Sequence, residues 1–335
     1  MKHSAIFQKL PLLLLLIITI SACAQNRPQI IFDTDFGGDA DDLGALVMLH
    51  NFMNRGECDL LAVMCWNTEK YSVSAVDAVN RYYGHPDIPV GTRKGDFEPI
   101  DWNHSRVIAD QFPYELDGTK AKESTQLYRE LLAARDDKDV TIVTVGPLSN
   151  IKRLLESKPD EISPLDGNAL IEAKVTEFII MGGQFPSGEK EWNFDGNMPG
   201  VTKYVVEHLT VPITFSGYEV GLDIKSGEVF NDIDKNSPLH VGFMHFCQYA
   251  PWLKQNWEGT IYDNSTYDQT AVLYAVRGGI DNYWSRIEGG YCLPDDVGGN
   301  QWIEGGSKPH SYLKLIKSNE EMAEIIEGFM VDDFR

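Results

Sequence analysis

Short, nearly continuous apolar runs recur along the chain, and segments of helical periodicity separate them. The runs are "QIIFD" (Gln29–Asp33), "DLLAVMC" (Asp59–Cys65), "VTIVTV" (Val140–Val145), "EFIIM" (Glu177–Met181) and "VPITFS" (Val211–Ser216). Unbroken apolar strands of this kind belong to a parallel sheet covered on both faces. The intervening segments predict helices over Asp41–Phe52, Ser72–Tyr83, Lys122–Ala134, Asn150–Ser157 and Thr202–His208. The last third is less regular. It carries aromatics from Tyr249 to Trp302, a predicted helix beginning at Asp268 and a closing helix near Glu320–Met330. Alternation of strand and helix over most of the chain predicts an α/β fold: an open, mostly parallel sheet flanked by helices, with a Rossmann-like core. Ligands in such folds bind beyond the carboxyl ends of the strands.

The N-terminus breaks the pattern. Lys2 and Lys9 precede an apolar stretch from Leu10 to Ile20 and the sequence "ISAC" (Ile20–Cys23). About eleven apolar residues fall short of the roughly twenty that span a bilayer, so residues 1–22 read as a secretory signal. Residues 23–335 then form one α/β domain. "ISAC" also resembles a bacterial lipobox, with Cys23 as the lipidated residue; plain cleavage near Ala24 is the simpler alternative. The expectation is an exported protein, periplasmic or anchored in the outer membrane by lipid.

Charge narrows the partners. The chain carries 29 Lys+Arg against 50 Asp+Glu, a net charge of −21, and loss of the two signal lysines would make it −23. Such a surface repels polynucleotides and anionic headgroups, whose binding depends on Lys and Arg displacing counterions. A nucleic-acid polymer is therefore set aside, and membrane contact is confined to the lipid anchor. Cys58, Cys65, Cys247 and Cys292 match no zinc spacing. Cys58 and Cys65 are separated by roughly 20 Å at strand rise. Buried free thiols are the default, with a Cys247–Cys292 bridge left open.

The strongest chemical signal is "DTDFGGDADD", which places Asp33, Asp35, Asp39, Asp41 and Asp42 within ten residues at the end of the first strand. Helix capping and the helix dipole account for one or two acids at such a turn. Five need a counter-charge, and oxygen donors without Cys or His suit a hard cation, Ca²⁺ or Mg²⁺. An EF-hand fits poorly, because its twelfth loop position counted from Asp33 is Gly44. A two-aspartate phosphatase loop is an alternative for "DTD", although a basic phosphate clamp near the later strand ends is missing.

These residues resemble the inosine-uridine-type nucleoside hydrolases, in a longer variant of their acidic motif. The resemblance continues in order through "LLAVMCWN" (Leu60–Asn67), "VTVGPLSN" (Val143–Asn150), "MGGQF…EWNF" (Met181–Phe194) and "YDQTAV" (Tyr267–Val272). It implies a Ca²⁺ held by Asp35, Asp42, the Val145 carbonyl and Asp268. It implies that Asp35 is also the general base for a Ca²⁺-bound water, and that Asp41, Asn67, Glu191, Asn193 and Asp268 contact the ribose. The implied activity is hydrolysis of the N-glycosidic bond of a nucleoside or related N-riboside to free base and ribose. Asp33 is expected to buttress the loop through hydrogen bonds; Asp39 stays open between supporting the metal ligands and capping the helix.

The chain departs from the family where many members carry His, since Tyr267 precedes Asp268, and in the short segment "QFPSGEK" (Gln184–Lys190). Both departures leave the general acid and the base preference open. A surface lipoprotein that binds Ca²⁺ and a sugar or nucleoside without turnover is the alternative reading, and the oligomeric state, a homo-oligomer included, stays open. Tyr249, Trp252, Trp257 and Tyr262 serve either base stacking or core packing. His240 and His245 read as structural. Gly182 and Gly183 read as sites of close backbone approach.

Overall fold

The computed structural model describes residues 27–95, 102–278 and 281–332. The expected signal segment and Cys23 lie outside the described residues. Among the described residues no helix is long and apolar enough to cross a membrane.

The strands are, in chain order, β1 (Gln29–Thr34), β2 (Asp59–Cys65), β3 (Val90–Thr92), β4 (Lys122–Glu123), β5 (Val140–Thr144), β6 (Val175–Met181) and β7 (Ser187–Gly188). They continue with β8 (Ile213–Ser216), β9 (Lys225–Ser226), β10 (Asn264–Ser265), β11 (Trp284–Ile287), β12 (Gly290–Pro294), β13 (Asn300–Glu304) and β14 (His310–Leu315). The helices are α1 (Asp41–Asn54), α2 (Ser72–Tyr82), α3 (Ser105–Gln111), α4 (Ser124–Ala133), α5 (Ser149–Glu156) and α6 (Gly167–Lys174). After them come α7 (Trp192–Asp195), α8 (Val201–His208), α9 (Tyr218–Gly221), α10 (Pro238–Tyr249), α11 (Asp268–Arg277) and α12 (Asn319–Val331).

Nine strands form one sheet in the order β11-β14-β8-β6-β5-β1-β2-β3-β4. All neighbouring pairs are parallel except β11 with β14, as the apolar runs predict for a mostly parallel sheet. The chain runs outward from β1 through β2, β3 and β4, then returns to β5 on the other flank of β1. That reversal opens a crevice at the carboxyl ends of β1 and β5, the place where a doubly wound sheet takes its ligand.

Alternation along β1 divides the core. Ile30 and Phe32 face a cluster built with α1, α2, α10, α11 and α12, whereas Ile31 faces the one built with α4, α5, α6 and α8. All three are fully buried, and each such side chain contributes about 1.5–3 kcal/mol.

The expected elements are present with shifted ends. Lys122 and Glu123 form the edge strand β4 instead of the first helical turn, because Glu123 is extended and its side chain caps α4 by accepting from the Gln126 N–H. The closing helix has a capping box between Ser318 and Glu321. The irregular last third supplies β14 and β11 to the main sheet and pairs β12 with β13 and β7 in a smaller antiparallel sheet. The four described cysteines are free and buried.

Candidate active site

The acidic turn leaves β1 after Thr34, so strand alternation no longer governs Asp35. Asp33 still belongs to the strand and points to the same face as Ile31. There it accepts from the Tyr128 hydroxyl (2.8 Å) and from Asn150 Nδ2 (3.1 and 3.2 Å). Burial pushes its carboxyl up to about 7 against those two donors. The backbone then turns at Gly37, whose φ of 124° and whose close approach to Ser105 leave no room for a Cβ.

Helix α1 starts with no side-chain cap at Ala40, and Asp41 and Asp42 occupy its first turn. Helix α11 packs beside α1 and starts at Asp268. Two helix N-termini thus converge on one buried spot, and both dipoles favour negative charge there. Asp41, Asp42 and Asp268 place one carboxylate oxygen each within 4.8 Å of the others. Oxygens on opposite sides of one Ca²⁺ lie roughly 4.6–5.2 Å apart, so the three can share an ion. The Thr34 hydroxyl donates to Asp42. Burial, then repulsion from neighbouring aspartates, raises the carboxyls of Asp41, Asp42 and Asp268 well above the usual range. Buried acids that repel one another, with no His or Cys in the group, are a donor set for a hard cation.

Asp35 is not one of the three. Its Oδ2 accepts from the Trp192 indole N–H at 2.9 Å, and burial raises its carboxyl to about 6. The Val145 carbonyl accepts from Asn193 Nδ2 at 3.2 Å. Asn193 Nδ2 also reaches the Met181 carbonyl, while Asn193 Oδ1 is buried without a protein partner. Glu191 caps α7: its carboxylate accepts from the backbone N–H groups of Gly183, Asn193 and Phe194 at 2.9–3.0 Å. Asn67 sits buried beyond the end of β2 and accepts from the Glu69 N–H. Asp39 does not cap α1; it accepts from the Ala40 N–H and from Asn264 Nδ2 (3.1 Å). The structure therefore joins Asp42 and Asp268 with Asp41, and gives Asp35 a separate partner.

Around this centre, Tyr267 stacks on Tyr218 with centroids 5.1 Å apart, and burial raises its phenol pKa further. Trp102 meets Trp252 edge-on near Gly38, and Tyr249 and Trp252 remain exposed, whereas Trp257 and Tyr262 pack on the core. His240 lies inside α10 with its Nδ1 on the Phe230 carbonyl. Gly183 has φ 76°, and a Cβ there would meet the Phe194 ring at 2.9 Å, which accounts for the Gly pair. Trp192, Tyr128 and Tyr218 are the site residues that sequence reasoning passed over. Trp192 stood in plain view between Glu191 and Asn193; for Tyr128, 95 residues from Asp33, no local signal exists.

The raised carboxyls make stability depend on pH. They hold protons more tightly in the folded chain than in the unfolded one, where Asp titrates near 3.9. Their contribution is complete below that value and is lost as pH rises through the folded values, about 6 for Asp35 and about 7 for Asp33 and Asp39. The chelated protein is therefore expected to lose about 5 °C or more in Tm between pH 5 and pH 8 by calorimetry. Ca²⁺ should restore most at the alkaline end. A Tm that rises over this range would refute the picture.

A buried carboxylate group at the switch point of a parallel sheet, with a further positioned carboxylate beside it, defines an α/β enzyme whose chemistry rests on acids. The sequence profile of the inosine-uridine preferring nucleoside hydrolases matches residues 30–320, and the chain belongs to that family. It is a nucleoside N-ribohydrolase, from a metal-dependent family that hydrolyses N-ribosides. No curated protein matches the chain. Among solved structures, a plant nucleoside hydrolase is 15% identical, with TM-score 0.64 over 90% of this chain and 98% of the other. An inosine-guanosine nucleoside hydrolase is 17% identical, with TM-score 0.64 over 91% and 99%. The type III effector protein XopQ, solved in complex with adenosine diphosphate ribose, is 12% identical, with TM-score 0.61 over 91% and 93%. At these identities the structures show a shared fold.

Proposed function

We propose that this enzyme hydrolyses the N-glycosidic bond of ribonucleosides or related N-ribosides to free base and ribose, with Asp35 as general base and Asp41, Asp42 and Asp268 holding Ca²⁺. The observation that supports this most is the group of three carboxylates without His or Cys, with a fourth carboxylate, Asp35, adjacent but separately held. A cation bound there supplies Lewis acidity and orients vicinal hydroxyls. Asp35 accepts the proton of the attacking water, and its carboxyl near 6 is ionised at neutral pH yet still basic. Asp41, Asn67 and Asn193 line the sugar, and the unpaired Asn193 Oδ1 is an acceptor for a hydroxyl. Acidic and amide oxygens around the ribose stabilise the positive charge that develops at C1′. Glu191 acts through the turn it caps, which carries Trp192 and Asn193. Tyr267, kept protonated by burial and paired with Tyr218, donates to the leaving base.

A ribonucleoside panel assayed for free base and ribose tests the reading. Release that requires a divalent cation is expected. Tyr267→Phe should lower kcat by about tenfold or more on nucleosides, within the range of a general acid, and leave a p-nitrophenyl riboside unaffected. The effector with the same fold, solved with adenosine diphosphate ribose bound, supports a second reading, binding of a ribosyl compound without turnover. Saturable binding by calorimetry with no product after long incubation would favour it and overturn hydrolysis.

A further inference from the structure

Trp192 is half exposed, yet its N–H is directed at Asp35 across 157 residues of sequence. A tryptophan at the surface satisfies its N–H with water at no loss, so this direction comes from the local fold. Glu191 and Asn193 on either side are pinned inward, Glu191 by three backbone N–H groups and Asn193 by the Val145 and Met181 carbonyls. The single turn of α7 leaves the residue between them facing out over the mouth of the site. On the other side of Asp35, a Cβ at position 146 would lie 2.8 Å from the Asp35 backbone nitrogen and 3.0 Å from Oδ1, so Gly146 gives that carboxylate its space.

We propose that Trp192 is a positioning residue that holds Asp35 outside the group formed by Asp41, Asp42 and Asp268, reserving its carboxylate as proton acceptor instead of a fourth ligand. The inference rests on the hydrolase reading above. Its physical basis is a near balance. Three carboxylates already over-neutralise a dication, so little net attraction draws in a fourth. A single charge-assisted hydrogen bond is then of the size that decides which position Asp35 takes.

Trp192→Phe keeps the ring and deletes the N–H. The expected result is a fall of about tenfold in kcat with KM within about twofold. Ca²⁺ affinity by calorimetry should stay equal or become several-fold tighter, because the freed Asp35 joins the ligands. A structural role would weaken both together. In the wild type, the Trp192 indole ¹H–¹⁵N resonance, assigned by its absence in Trp192→Phe, should be protected from exchange and should move in Asp35→Ala. Unchanged kcat, Ca²⁺ affinity falling in step with kcat, or a resonance that does not move would each overturn the proposal. If the wild type releases no base from any riboside, the hydrolase reading fails by itself, and the Ca²⁺ titration and the resonance still decide the role of Trp192.

Discussion

Asp35→Ala is expected to lower kcat for riboside hydrolysis by about 10²–10⁴-fold, the range over which a positioned general base acts, while Ca²⁺ still binds. Asp35 leaves the end of β1 at the reversal of strand order, where Gly146 gives it room and Trp192 orients it. Its carboxyl is raised to about 6 by burial, with the Trp192 N–H working in the opposite direction. A bound dication lowers it further, so the acid limb of the rate profile should fall at or below about pH 6. In the variant that limb should disappear together with the rate. Because Asp35 stands apart from Asp41, Asp42 and Asp268, calorimetry should show Ca²⁺ affinity within a few-fold of wild type. Full turnover in Asp35→Ala would end its assignment as base. Loss of Ca²⁺ binding would instead make it a ligand.

Asp268→Ala has the opposite signature. It removes one of three oxygens that reach a common ion, so Ca²⁺ affinity should fall by at least about a hundredfold, and turnover should fall with it. The rise in Tm that Ca²⁺ confers by binding only the folded chain should vanish as well. Under chelation at pH 8 the same variant should be more stable than wild type. Asp268 is buried among Asp41, Asp42, Asp35 and Asp39, whose charges all act on it unfavourably, so deleting it relieves repulsion that only a cation otherwise offsets. Scanning calorimetry with and without Ca²⁺ measures both signs in one experiment. A chelated variant less stable than chelated wild type would mean that Asp268 supports the fold by packing and not as a ligand.

How far a signal reaches along the chain decides whether it can be read without coordinates. Strands β1, β2, β5 and β6 are legible because each is an apolar run fully covered by helices, and helices α1, α2 and α8 because their faces repeat within a few residues. Strands β11 and β14 are not. Both lie toward one edge of the sheet, where burial is incomplete and the pattern loses contrast. The site divides in the same way. The acidic turn, the segment "GPLSN" and the pair Glu191 and Asn193 carry their chemistry in consecutive residues, and the resemblance to nucleoside hydrolases could be read from them alone.

What the sequence by itself determined is therefore the α/β class, the family and the oxygen-rich character of the site. The tertiary structure alone decided the division of labour among the acids. Asp33 and Asp35 are two apart and alternation would aim them together, but β1 ends between them: Asp33 turns to Tyr128 and Asn150, and Asp35 turns to Trp192. Asp41 joins Asp42 and Asp268 because α1 and α11 pack side by side with their N-termini together. The direction of a side chain just past a strand end is set by contacts with segments about a hundred or more residues away, and no local pattern encodes that distance.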